Sequence, residues 1–143
     1  MLRLRILAAV AAILSTSLAF AAEPLTISQI EKVTGLSGLT VKPGKYDKTS
    51  RNYVTSKDDL ALTVKIASAS VYEVWKSQPS MNDQAPVSGL GEDAVRSKKG
   101  RYVCFKKGDA GVCVAGAVAL PGTPELVTDS QIMELARLAV SNL

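Results

Sequence analysis

The side chains in this sequence suited to chemistry are Cys104 and Cys113, a set of basic residues around them, a few adjacent carboxylates, and no histidine. Lack of histidine removes Ser-His-Asp and Cys-His catalysis, imidazole metal ligation and the usual near-neutral pH switch together. A lysine base could replace histidine, but no Ser-x-x-Lys motif occurs beyond residue 21. Glu92-Asp93 and Asp58-Asp59 are neighbours in sequence. On a strand, neighbours point to opposite faces and cannot share one reacting centre through local geometry. Asn82-Asp83 is too sparse for a calcium loop, and the Gly89/Gly91 spacing fits neither the Walker nor the dinucleotide pattern. No catalytic residue, metal ligand or cofactor site is assigned, and the chain reads as a binding protein rather than an enzyme.

The cysteines have a more definite chemistry. Gly108-Asp109 is the kind of pair that forms a two-residue type II′ turn, with glycine at positive φ. Counting outward, Lys107 faces Ala110, Phe105 faces Val112 and Cys104 faces Cys113. The cysteine pair falls in the non-hydrogen-bonded register, where opposing side chains lie closest. A disulfide between them is expected, on the opposite side of the ribbon from Val103, Phe105, Val112 and Val114.

Arg96, Lys98, Lys99 and Arg101 surround the turn that opens this hairpin, while Lys106 and Lys107 flank its tip. At ~3.3 Å per residue the two groups are roughly 17 Å apart, two ends of one ribbon. Arg96, Lys98, Lys99 and Arg101 are candidates for contacting an acidic partner, together with Asn82 and Asp83 in the polar stretch Ser77–Pro86. The competing reading is lysines that keep turns and sheet edges soluble.

An oxidised pair needs a suitable compartment, and the N-terminus supplies one. Arg3 and Arg5 precede an apolar run from Ile6 to Leu18, and Ala19-Phe20-Ala21 is an A-x-A cleavage site. The run is about 13 residues, short of the roughly 20 that a spanning helix requires. Residues 1–21 are expected to be a signal peptide and residues 22–143 a single secreted or periplasmic domain, with no stable membrane insertion after cleavage. Removing the two arginines lowers the formal net charge of +4 by two. Nucleic acid is not an expected partner.

The elements that position these groups follow from periodicity. Thr26–Gln29, or Ser28–Glu31, forms a capping box for a short helix that ends at Gly35. Leu39–Val41 reads as strand, Lys42–Arg51 as an irregular connection, and Asn52–Ser56 with Leu60–Ala67 as a hairpin. Ser70–Glu73 reads as another capping box, opening a helix that buries Val71, Val74 and Trp75 on one face. Glu92–Ser97 is a strand. Thr128–Gln131 caps a final helix whose Ile132, Leu135, Ala136, Ala139, Val140 and Leu143 form one apolar stripe.

Val33–Leu36 echoes Val87–Leu90, and the stretch from Tyr53 echoes that from Tyr102, which suggests an internal α-β-β-β duplication. The order of elements and the segment Val87 to Ala94, VSGLGEDA, resemble small exported bacterial domains of uncharacterised function that carry a Val-x-Gly-Leu-Gly-Asp/Glu-x-Ala motif before a hairpin. Some of those are lipoproteins; this chain lacks their lipidated cysteine. The resemblance transfers no catalytic residues.

The expected fold is α+β, an antiparallel sheet of two hairpins plus flanking strands with helices packed on one face. The expected function is non-catalytic binding of a protein partner in the cell envelope, in an inhibitor, immunity or accessory role. The alternative is a small-ligand or lipid-binding periplasmic protein, with a hydrolase least favoured. Oligomeric state is not specified.

Overall fold

The structure, a computed structural model, describes residues 23–78 and 83–143. Residues 1–21, expected to be a signal peptide, and Asn82 lie outside the described residues. Helix α1 spans Ile27–Thr34, followed by strands β1 Thr40–Pro43, β2 Ser50–Val54 and β3 Leu60–Ser68. Helix α2 Ala69–Ser77 leads to β4 Ala85–Pro86, β5 Asp93–Ser97, β6 Tyr102–Lys107, β7 Ala110–Gly116 and the terminal helix α3 Asp129–Asn142. The strands form one antiparallel seven-stranded sheet in the order β1-β2-β3-β7-β6-β5-β4. The fold is α+β, as expected.

Local signals explain the helix ends. Thr26 and Gln29 satisfy each other's backbone donors in a full capping box, and Gly35 closes α1 in the left-handed region at φ 74°. Thr128 and Gln131 do the same for α3. Ile132, Leu135, Ala136 and Ala139 of the expected stripe are buried, Val140 is partly buried, and Leu143 at the chain end stays exposed. The stripe packs on the hairpin strands β6 and β7 and shares one buried cluster with Val103, Phe105, Val112 and Val114 of the hairpin and Leu62 and Val64 of β3. Each such large side chain contributes roughly 1.5–3 kcal/mol by leaving water, which makes this cluster the main source of stability.

Both sheet edges are protected. Strand β1 ends in Pro43 and the two-residue β4 ends in Pro86; proline offers no amide to an incoming strand.

The helices do not all lie on one face. Helix α2 follows β3 without a loop and settles on the side opposite α1 and α3, where Tyr72 joins Val95 and Cys104 in a separate buried cluster. Gly111 permits this close approach, because a Cβ there would lie 2.8 Å from the Tyr72 Cβ. The expected Ser70 cap is absent; Ser68 is the N-cap, and its hydroxyl bonds Ser70 Oγ at 2.8 Å rather than a helix amide. The buried face of α2 shifts accordingly to Tyr72, leaving Val74 54% exposed. Burial, with the Asp93 carboxylate close by, raises the Tyr72 phenol pKa well above its usual range.

Lys42–Arg51 is more ordered than its composition suggested. Asp47 accepts hydrogen bonds from the Thr49 amide at 2.9 Å and from Ser50 Oγ at 3.1 Å, and it pairs with Lys65 at 2.7 Å. These contacts hold its carboxyl far below the usual range, the lysine contact being the largest cause. The resulting turn joins β1 to β2, so each half of the sheet contains a three-stranded meander, and the meanders meet where β3 pairs with β7. The echo noted in the sequence is matched in the strands but not in the helices, since α1 and α2 occupy opposite faces.

Candidate functional site

The β6–β7 hairpin has the expected register, with Lys107 opposite Ala110, Phe105 opposite Val112 and Cys104 opposite Cys113. Gly108 alone of the two loop residues has positive φ, 55°, as a type II′ turn requires. The cysteine Cα atoms are 4.0 Å apart and the two residues form a disulfide. Val112 and Val114 belong to the large core, and the disulfide sits on the other face beneath α2.

At the opposite end of β6, the turn from Ser97 to Arg101 is held from several sides. Asp83 accepts from Ser97 Oγ at 2.5 Å and from the Lys99 amide at 2.7 Å, while Ser97 Oγ accepts from the Gly100 amide at 2.8 Å. The Lys99 amide first, then Ser97, lowers the Asp83 pKa below the usual carboxylate range. Arg101 adopts a left-handed φ of 52° and directs its side chain inward. Its guanidinium donates to the carbonyl oxygens of Ala117 and Val127 and approaches Glu125 and Asp129, each at 3.4 Å.

Two of the residues singled out from sequence therefore build the turn rather than extend from it. Arg101 is 7% exposed, and Asp83 is committed to the turn's own donors. Arg96, Lys98 and Lys99 remain exposed. Between this turn and the first half of α3 lies a groove of about 400 Å³. Its helix wall includes Ser130, Met133 and Arg137, one helical face at i, i+3 and i+7. Arg137 escaped the sequence reading because it lies 36 positions beyond Arg101; only the packing of α3 on the sheet brings them to one groove. Among the described residues Arg96, Lys98, Lys99 and Arg137 make no ion pair with a carboxylate. Neither residues 1–22 nor 79–82 contain an acid.

The second basic group is used internally. Lys106 pairs with Glu73 at 2.7 Å, which raises its pKa, and Lys107 donates to the Val140 carbonyl at 2.8 Å. The adjacent carboxylates also diverge. Asp93 pairs with Lys76 at 2.5 Å, its pKa lowered chiefly by that contact, whereas Glu92 accepts from the Gly108 amide at 2.7 Å. Asp58 pairs with Lys42 at 2.6 Å. Among the described residues no three Asp, Glu, His or Cys side chains are grouped as a metal site would require.

The segment Val87–Ala94 serves the fold, contributing buried Leu90 and Ala94 to the main core. No helix among the described residues is long and apolar enough to cross a membrane. Comparison with protein-family models, curated proteins and solved structures finds no match.

Proposed function

We propose that this chain is a non-catalytic binding protein of the cell envelope that engages an acidic protein partner through the groove between the Ser97–Arg101 turn and α3. The observation that carries this reading is the set of four exposed cations, Arg96, Lys98, Lys99 and Arg137, without carboxylate partners among the described residues. A protein that used these residues only for solubility would not need to anchor their turn with a buried arginine and a half-buried aspartate. Such anchoring reduces the ordering cost when a partner docks, the usual benefit of preorganisation. Complementary charge would speed encounter and set specificity more than it would add affinity.

The partner class follows from the same features. The floor of the groove includes Val103, Ile132 and Met133, so an acidic protein surface carrying an apolar side chain fits better than a bare polyanion. An inhibitor, immunity or accessory role accords with a rigid turn presented from a sheet end. The Cys104–Cys113 disulfide is compatible with an oxidising compartment. The test is crosslinked affinity capture from the native envelope fraction at low and high salt. One enriched acidic protein, lost at high salt, supports the reading; capture that is indifferent to salt, or enrichment of anionic polymer or lipid instead, contradicts it.

A further inference from the structure

Helix α2 covers only part of the disulfide face. It contacts the sheet through Tyr72 above Gly111 and ends at Ser77. Two further cross-strand rows extend beyond that contact. In one, Lys65, Cys113 and Cys104 stand side by side across β3, β7 and β6; in the next, Thr63, Ala115 and Tyr102 do so. Ala115 carries only a methyl between two larger neighbours, so the sheet is depressed there. With Trp75 as a wall, these rows enclose a cleft of about 210 Å³.

The geometry points to a binding site in this cleft for a small, neutral aromatic molecule of one or two rings. Size sets the first limit. An apolar cavity of about 150 Å³ accommodates benzene, whereas drug-sized ligands require roughly 300 Å³ or more. The surfaces are suited to a flat apolar ligand: the edge of the Trp75 ring, whose face carries Lys65 Nζ at 5.5 Å from the centroid, the Tyr102 ring, the disulfide sulfurs and the Ala115 methyl. Sulfur and ring edges interact favourably with an aromatic guest.

Charge sets the second limit. Lys65 is the single ionic residue in the lining, and Asp47 already neutralises it at 2.7 Å. A charged guest would lose its hydration without gaining a free counter-charge. Beside Gln78 and Thr63, whose hydroxyl is held by Asn52, a polar handle is formed by Gln84 and Tyr102. Gln84 Nε2 donates to Tyr102 Oη at 2.8 Å and to the Trp75 carbonyl at 3.2 Å. The Tyr102 hydroxyl proton and Gln84 Oε1 have no partner among the described residues and can pair with one hydroxyl on the guest. This site faces away from α3 and does not depend on the proposed acidic partner.

Trp75 is the chain's single tryptophan, so its emission reports on the cleft directly. The probes are p-cresol, toluene and p-toluate, titrated into the oxidised mature protein. The expected result is saturable binding of p-cresol with a Kd of about 0.1–1 mM, typical for so few non-hydrogen atoms, with p-toluate at least tenfold weaker. Ala115→Leu fills the depression and should abolish binding while circular dichroism shows the fold retained. Tyr102→Phe serves as the second variant, weakening p-cresol several-fold and leaving toluene unchanged. No saturation with p-cresol, equal binding to Ala115→Leu, equal p-toluate affinity, or equal loss of both neutral probes in Tyr102→Phe would overturn the assignment.

Discussion

The guanidinium of Arg101 donates to the carbonyl of Val127, tying the start of the hairpin to the segment that enters α3. The same side chain holds Ala117 and is 7% exposed, so this one residue links the hairpin, the strand exit and the entry to the helix at the edge of the basic groove. Replacing it leaves buried carbonyls without donors. Arg101→Met should destabilise the fold by about 2–4 kcal/mol, measured by urea unfolding. Arg101→Lys should recover only a minority of that loss, because an ammonium cannot reproduce the guanidinium fork. Wild-type stability in both variants would contradict the buried role.

The disulfide closes a short loop, with the cysteines 9 positions apart. Chain-entropy arguments give about 2–3 kcal/mol for such a loop. Intact mass of exported protein should lie two hydrogens below the reduced chain, and a Cys104→Ala/Cys113→Ala variant should lose about that much stability while keeping its sheet. Free thiols in freshly exported protein would contradict this.

Acid should weaken the connections before it reaches the core. Asp47, Asp83 and Asp93 have folded pKa values lowered from the reference of 3.8. For a lowered carboxylate, the linked stability is present above the unfolded value and is lost as pH falls through the folded value. Midpoints of thermal unfolding should stay nearly flat from neutral to about pH 5 and decline below about pH 4. Asp47→Asn should reduce that slope. A slope unchanged by Asp47→Asn would remove this residue from the account.

Alkali acts through Tyr53, which donates to the Leu25 carbonyl at 3.1 Å inside the core. Burial first, then Glu23, raises its pKa from 10.0 to about 12. Its neutral form is favoured in the folded chain, so stability should be intact below pH 10 and fall as pH rises toward about 12. Tyr53→Phe should lower stability at neutral pH by about 1 kcal/mol and make the alkaline limb shallower, leaving the part that the buried Tyr72 phenol contributes. A wild-type limb in Tyr53→Phe would assign the alkaline loss to other groups.

Much of this fold was legible from local pattern. The β6–β7 register and the disulfide follow from two turn residues and alternation, and α1 and α3 from capping boxes with apolar stripes. The placement of α2 was not legible: Trp75 does pack against the sheet, but Val71 and Val74 beside it form as good a helical face as Tyr72, which is the one used. What decides between them is Gly111, a residue 39 positions from Tyr72 that matters for the side chain it lacks. The order within Lys42–Arg51 comes from Asp47, which adds to its local bonds with Thr49 and Ser50 an ion pair to Lys65 on β3 that short-range turn signals do not encode. In the basic groove, the sequence identified the charges but did not distinguish Arg101, which turns inward, from Lys98 and Lys99, which stay in water. Arg137 joined them only through the docking of α3.

Binding of an acidic protein by the exposed cations of this groove can be read by side-by-side capture from the envelope fraction with the wild-type chain and an Arg96→Gln/Lys98→Gln/Arg137→Gln variant, each shown to have the same thermal midpoint. One acidic protein should be enriched by the wild type and depleted at least tenfold with the variant, as expected when several complementary charges are removed together. Equal recovery of the same proteins by both chains would contradict it.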